Sequence, residues 1–208
     1  MKIGIDVDEC LINLVDNFLD FNREKYKIDV KREDVFCYDF WEIFKIPKKE
    51  AYRRMDEFFN SKFFERVSPV DGAKKAIYEL SKNRENKLYV ITSRPIHIKN
   101  KTKEQLEGFF GEVFYDISHT DEYSDFERQI SEVNRKTKKV RVCQDRKIDV
   151  LIEDSLKNAL ECAEGVEGIE ILLMNQPWNK NGNLPSNVYR VYSWEEILIK
   201  IKEIKNEF

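Results

Sequence analysis

A chain of 208 residues that is 41% hydrophobic and 12% aromatic carries enough apolar side chain for one packed domain, or for one domain with a large insert. Its 36 basic and 39 acidic residues leave a net charge of -3, which supplies no field to attract nucleic acid or an anionic membrane surface. No apolar run reaches the roughly 20 residues of a membrane span, and Asp6 and Asp8 interrupt the first apolar stretch too early for a secretory leader.

Cys10, Cys37, Cys143 and Cys162 lie far apart and form no CxxC pair, which argues against a zinc knuckle or a disulfide scaffold. The expectation is a cytoplasmic protein with reduced thiols.

The elements alternate along the chain. "KIGIDV" reads as a buried strand, after which Leu11, Leu14, Val15 and Phe18 recur at helical spacing. Asp71 is a candidate N-cap for a helix with Ala73, Ala76, Ile77 and Leu80 on one face. "KLYVIT" (87–92) is a second strand, followed by a helix through Gln105 to Phe110, and "EVFYDI" (112–117) a third strand. Residues 123–147 are helical in composition, in one piece or two. "IDVLIED" (148–154), "IEILLMN" (169–175) and "VYRVYS" (188–193) supply three more strands, with a helix from Ser155 after the first of them. Ser193 and Glu196 form a capping-box pattern for a last helix whose apolar face is Trp194, Ile197, Leu198 and Ile201.

Strands separated by helices predict an α/β fold, a parallel sheet with helices on both faces. Right-handed crossovers bring all strand C-termini to one edge, where ligands of such sheets bind. The stretch from 13 to 69 breaks the alternation. It is helical and rich in aromatic residues, Phe36, Tyr38, Phe40 and Trp41 among them, and reads as a helical insert over that edge. There is no internal repeat, no low-complexity linker and no signal for an oligomeric state.

Four polar clusters fall at or near strand ends: Asp6 with Asp8, Thr92 with Ser93, Lys138 with Lys139, and Glu153 with Asp154. Each alone has an ordinary explanation. Aspartate and Thr-Ser shape turns, paired lysines are usually solvated, and Glu-Asp-Ser suits a helix N-terminus. Gathered on one edge, the carboxylates repel one another, and a hydrated Mg²⁺ is the usual remedy. A hard cation with oxygen ligands points in turn to a phosphate substrate. His97 and His119 are isolated and read as surface or loop residues.

The order Asp-Val-Asp-Glu-Cys, Thr-Ser-Arg-Pro, Lys, Glu-Asp-Ser resembles the haloacid dehalogenase superfamily of phosphohydrolases, and more narrowly its 5′(3′)-deoxyribonucleotidase-like branch. The resemblance covers the whole chain. The insert matches a family cap, and "MNQPWN" resembles a segment that follows the fifth strand in such relatives.

The resemblance implies a Rossmann-like core over 1–12 and 70–208 with a helical cap over 13–69. It implies Asp6 as nucleophile and Mg²⁺ ligand. Asp8 would be general acid and then general base, with its backbone carbonyl on the metal. Thr92 and Ser93 would hold phosphate oxygens, and Lys139 would neutralise the phosphoryl charge and hold Asp6. Asp154 would ligate Mg²⁺, with Glu153 helping directly or through water. Glu153 stands where relatives often carry Asp, so direct ligation stays open, and Lys138 and Lys147 remain alternatives to Lys139.

Phe36, Tyr38, Phe40 and Trp41 are candidates to stack on a base or to form the insert's own core. Arg94 is a candidate to reach a second phosphate or a carboxylate, or to set the turn. The expected function is a Mg²⁺-dependent phosphomonoesterase acting on a small phosphorylated molecule, a nucleotide by resemblance. A sugar or cofactor phosphatase would need the same core and a different cap. A receiver domain would carry its phosphorylated Asp after the third strand and no insert after the first. A nucleic-acid end-processing phosphatase would want a basic groove. A non-catalytic phosphate-binding module would lose an acid, whereas Asp6 and Asp8 are both present.

Overall fold

The computed structural model describes residues 1–120 and 138–207. Strand β1 (Lys2–Ile5) leads into a short strand β2 (Ile12–Asn13), which pairs antiparallel with β3 (Ser68–Pro69). Between β2 and β3 run helices α1 (Val15–Tyr26), α2 (Phe40–Phe44), α3 (Lys48–Phe59) and α4 (Lys62–Glu65). The rest alternates: α5 (Ala73–Lys82), β4 (Lys87–Thr92), α6 (Lys99–Phe110), β5 (Asp116–His119), α7 (Lys138–Arg146), β6 (Val150–Glu153), α8 (Leu156–Gly165), β7 (Glu170–Met174), β8 (Val188–Val191) and α9 (Trp194–Glu207).

Among the described residues, six strands form one parallel sheet in the order β5-β4-β1-β6-β7-β8. The apolar runs of β1, β4, β6 and β7 suit it, because helices cover both faces. Ile3, Ile5, Val90, Ile152 and Leu172 join one core, and Ile91, Leu151, Ile171 and Leu173 join the other. The connections leave β1 toward β4 on one side and β6 on the other, so the crevice at the C-terminal end of β1 is the switch point of the topology. Among the described residues, no helix is long and apolar enough to cross a membrane.

The insert after β1 has its own aromatic core. Phe18 meets Phe40 and Phe58 at ring-centroid distances of 4.8 and 5.2 Å, both edge-on. Phe58 meets Phe21 and Phe64 in the same manner. Edge-to-face pairs of this kind add to the burial of the rings themselves.

Helices α7 and α8 approach closely at Gly165, where an added Cβ would stand 2.7 Å from Val140 Cγ1. The small residue lets α7 sit against α8 and so fixes where Lys139 projects.

Three expectations need correction. The first helix begins at Val15 rather than near Leu11, because Val7 O accepts the N–H groups of Leu11 and Ile12 in a tight turn. Asp71 does not cap α5. The capping position is Gly72, at φ 76°, with no side-chain hydrogen bond. The third strand lies at Asp116–His119 rather than 112–117, and its polar end is tolerated because it is half-buried and, among the described residues, an edge strand paired with β4. The helix after β4 spans Lys99–Phe110 and so runs through Gln105 to Phe110 as expected. The helical reading of 123–147 is met over α7, while its part up to residue 137 lies outside the described residues. Glu196 N donates to Ser193 Oγ as the capping box requires, and Glu196 Oε2 accepts from Tyr192 N.

Phe58 is fully buried at the centre of the insert. Phe58→Ala is expected to cost about 3–5 kcal/mol by leaving a cavity among rings, read as a lower urea midpoint.

Candidate active site

Three strand ends, those of β1, β4 and β6, and the first turn of α7 build the site. After β1, Asp6 N still donates to Ile152 O at 2.9 Å, so Asp6 keeps strand geometry before the chain turns. The turn passes through Glu9, which is wholly buried at φ 63°. Glu9 Oε1 accepts the N–H groups of Leu14 and Val15, both at 2.7 Å, and so satisfies orphan donors at the start of α1. Its other oxygen pairs with Arg32.

Lys139, in the first turn of α7, is fully buried. Its Nζ donates to Asp6 Oδ1 and to Glu153 Oε2, each at 2.7 Å. Glu153 Oε1 accepts from Asp154 N at 3.2 Å and Ser155 N at 3.0 Å, so both Glu153 oxygens are engaged. Lys147 is exposed in a left-handed conformation after α7, at the opposite end of the neighbouring strand. Lys138 opens α7, and its side chain lies outside the described residues.

The electrostatics follow from burial. Burial pushes the Asp6 carboxyl up to about 7; Lys139 opposes this, while Glu153 and Asp8 add to it. Burial, then Glu153, Asp6 and Glu9, push Asp154 well above the usual carboxylate range. For Lys139, burial alone would lower the value, but Asp6 and Glu153 outweigh it and hold the ammonium well above its ordinary range.

Among the described residues, Asp6, Glu153 and Asp154 bring one carboxylate oxygen each within 4.8 Å of one another. These are hard oxygen donors in a crowded, buried anionic site, the chemistry that a divalent cation such as Mg²⁺ relieves. The donor set therefore fits the ion. As with Glu153, both Asp6 oxygens are engaged, Oδ1 by Lys139 and Oδ2 by Asp8 N at 3.1 Å, and Asp154 Oδ2 accepts from Trp178 Nε1.

Asp8 lies on the other side of Asp6. Arg94 Nε donates to both Asp8 oxygens at 3.1 Å, and Nη2 to Oδ1 at 2.7 Å. Arg94 is 1% exposed, and its remaining donors reach Thr102 and Gln105. It thus engages a carboxylate of its own chain. Ser93 lines the cavity in front of the acids, whereas Thr92 is fully buried and its Oγ1 accepts from Arg94 N at 3.2 Å.

The cavity measures about 230 Å³. Asp6, Asp8, Glu153 and Asp154 line it from the core, and Tyr38, Asp39, Trp41, Lys48 and Tyr52 line it from the insert. Trp41 and Tyr52 lie 6.1 Å apart, with Lys48 Nζ 4.5 Å from the Trp41 ring. Of the four aromatic candidates, Tyr38 and Trp41 reach the cavity. Phe40 is buried against Phe18 and Phe44, and Phe36 is 62% exposed and does not line the cavity.

His97 Nε2 lies 3.4 Å from Asp56 of the insert, and His119 Nδ1 lies 3.1 Å from Arg94 O. Sequence reasoning missed Tyr52, Lys48 and Asn158, which are ordinary helical positions with no local signal. It also missed Trp178, whose Nε1 donates to Asp154 Oδ2 at 3.0 Å; the "PWN" after an apolar strand was the signal that marked the segment.

The family model for "5' nucleotidase, deoxy (Pyrimidine), cytosolic type C protein" matches residues 1–205. The chain belongs to this family. It is a phosphoric monoester hydrolase of the haloacid dehalogenase type. A 5'(3')-deoxyribonucleotidase of Bacillus subtilis (strain 168) is 26% identical over 202 residues, covering 96% of this chain and 97% of the relative. A predicted phosphatase from Clostridium acetobutylicum shares the fold at TM-score 0.66 and 18% identity, over 97% of this chain and 98% of that one. So does a haloacid dehalogenase-like hydrolase from Streptococcus pneumoniae, at TM-score 0.66 and 12% identity over 96% and 97%.

The buried ammonium separates the lysines experimentally. Lys139→Met leaves Asp6 and Glu153 facing each other without compensation and is expected to cost about 3–5 kcal/mol. Lys147→Met, at an exposed position, should stay within about 0.5 kcal/mol. Thermal melts of the two variants read the difference.

Proposed function

We propose that this nucleotidase-family chain is a Mg²⁺-dependent phosphomonoesterase for deoxynucleoside monophosphates, working through an aspartyl phosphate on Asp6. The observation that carries the reading is the shared cavity, lined by Asp6 and Asp8 from the core and by Trp41 and Tyr52 from the insert. In this reading the insert over 13–69 acts as a cap. The core acids meet the phosphate while the insert's rings meet the base.

Asp6 attacks phosphorus with a carboxylate oxygen, and the bond from phosphorus to the ester oxygen breaks. Asp8 gives its proton to the departing nucleoside oxygen. Asp8 then takes a proton from water. The water oxygen bonds to phosphorus, the bond to Asp6 breaks, and inorganic phosphate leaves. Lys139 aims Asp6 and offsets charge that grows on the phosphoryl oxygens. Ser93 is placed to donate to a phosphoryl oxygen, and Thr92 supports the same loop. Arg94 orients Asp8. Asp6, Asp154 and the Asp8 backbone carbonyl would hold Mg²⁺, and Glu153 supports them by fixing Lys139. When bound, the ion supplies Lewis-acid neutralisation of the phosphoryl oxygens.

A phosphate-release screen with Mg²⁺ over deoxynucleotides, ribonucleotides and sugar phosphates tests the reading. Deoxynucleoside monophosphates are expected to show the highest kcat/KM, and EDTA to abolish turnover until Mg²⁺ is restored. Full activity after exhaustive chelation, or a preference for sugar phosphates, contradicts it.

Asp8→Asn is expected to lower kcat about 10² to 10⁴-fold on a nucleotide. The loss should be much smaller on p-nitrophenyl phosphate, whose leaving group needs little protonation. Equal losses on both substrates would remove Asp8 from the acid role.

A further inference from the structure

The short helical turn Pro177–Asn179 after β7 grips Asp154 at two points. Asn179 Nδ2 donates to Asp154 O at 2.7 Å and to Met174 O at 2.6 Å, and Trp178 Nε1 donates to the carboxylate Oδ2 at 3.0 Å. The turn itself is rigid. Gln176 N donates to Asn179 Oδ1, and Arg190 donates to Asn179 Oδ1 at 2.6 Å and to its carbonyl at 2.7 Å.

The indole ring is held from the opposite side by the insert. The Arg32 guanidinium lies 5.2 Å from the ring centroid, and the Tyr38 ring meets it edge-on at 5.3 Å. Arg32 is fixed in turn by Glu9 and by Gln176 Oε1 at 2.7 Å.

We propose that Trp178 is a positioning residue for the cation site: its indole N–H fixes the Asp154 carboxylate, and Arg32 and Tyr38 of the insert fix the indole. The inference rests on the reading that Asp6 and Asp154 hold a divalent cation. Its consequence is that cation affinity depends on how the insert seats against Trp178, 24 residues from Asp154 in sequence. A hydrogen-bond donor behind a carboxylate ligand sets the orientation and basicity of the oxygens it offers, and losing such a partner typically costs about 10–100-fold in metal affinity.

The test is a Mn²⁺ titration of the substrate-free protein, followed by the electron paramagnetic resonance signal of free Mn²⁺. Trp178→Phe keeps the ring and removes the donor. It is expected to weaken Mn²⁺ binding about 10–100-fold with little change in the melting temperature of the metal-free protein. Benzothienylalanine at the same position replaces N–H by sulfur in a ring of nearly the same shape, and should weaken binding equally even if the Phe variant packs poorly. In an Asp154→Asn background, Trp178→Phe should bring no further loss, because the indole acts through that carboxylate. Unchanged Mn²⁺ affinity in both ring variants overturns the inference while leaving the cation reading intact. Full additivity with Asp154→Asn overturns it as well. Failure of the wild-type protein to bind Mn²⁺ removes the cation reading and the inference together.

Discussion

The ammonium of Lys139, enclosed between Asp6 and Glu153, is the contact on which the rest of the site depends. Taking a lysine out of water costs several kcal/mol unless its charge is met by well-placed partners. Here one carboxylate comes from the end of β1 and the other from the end of β6, so the ion pair ties α7 to two adjacent strands of the sheet. The tie works only if α7 lies at the right height and rotation. The bare Cα of Gly165, which lets Val140 approach α8, helps to set both. Structural demand and chemical demand coincide: the group that neutralises the buried acids also stands where a phosphoryl group would gather negative charge.

The insert serves the fold and the site with different faces. Phe18, Phe58 and Phe64 bury their rings against one another and give the segment a core of its own. Trp41 and Tyr52 turn toward the acids instead. Several polar contacts then register the insert on the sheet. Gln105 Nε2 donates to Phe64 O at 3.0 Å while its Oε1 accepts from Arg94, which holds Asp8. On the other side, Arg32 joins Glu9 to the ring of Trp178, which holds Asp154. Asp8 and Asp154 are therefore each gripped by a residue that also touches the insert, Arg94 at the Phe64 ring and Trp178 at Arg32 and Tyr38. Movement of the insert would be felt at both carboxylates without any change in the sheet, since packed elements shift as units.

Much of this was legible in the sequence. The alternation of apolar runs and helical periods marked the parallel sheet, and strand ends located Asp6, Asp8, Glu153 and Asp154 on one edge, because both signals are local. The errors were local too. Leu11 fits a helical period, yet the turn built on Val7 O claims it first. Asp71 has the chemistry of a cap, yet Gly72 takes the capping position in a conformation that asks for no side chain.

What only the tertiary structure decided were partnerships across long sequence distance and the rotation of one element against another. Three lysines could be weighed from sequence, but the placement of α7 against the sheet sets Lys139 beside Asp6, 133 residues away. Phe40 and Trp41 are adjacent and both aromatic; successive residues on a helix point about 100° apart, so packing sends one into the insert's core and the other to the cavity. Arg94 could have met a substrate, and it meets Asp8, 86 residues distant. The sequence by itself determined the period of each element and the chemistry at its ends, since backbone geometry makes both local. The partner of each charged group was decided by how those elements pack, since a buried charge settles only where the folded chain brings it an opposite one.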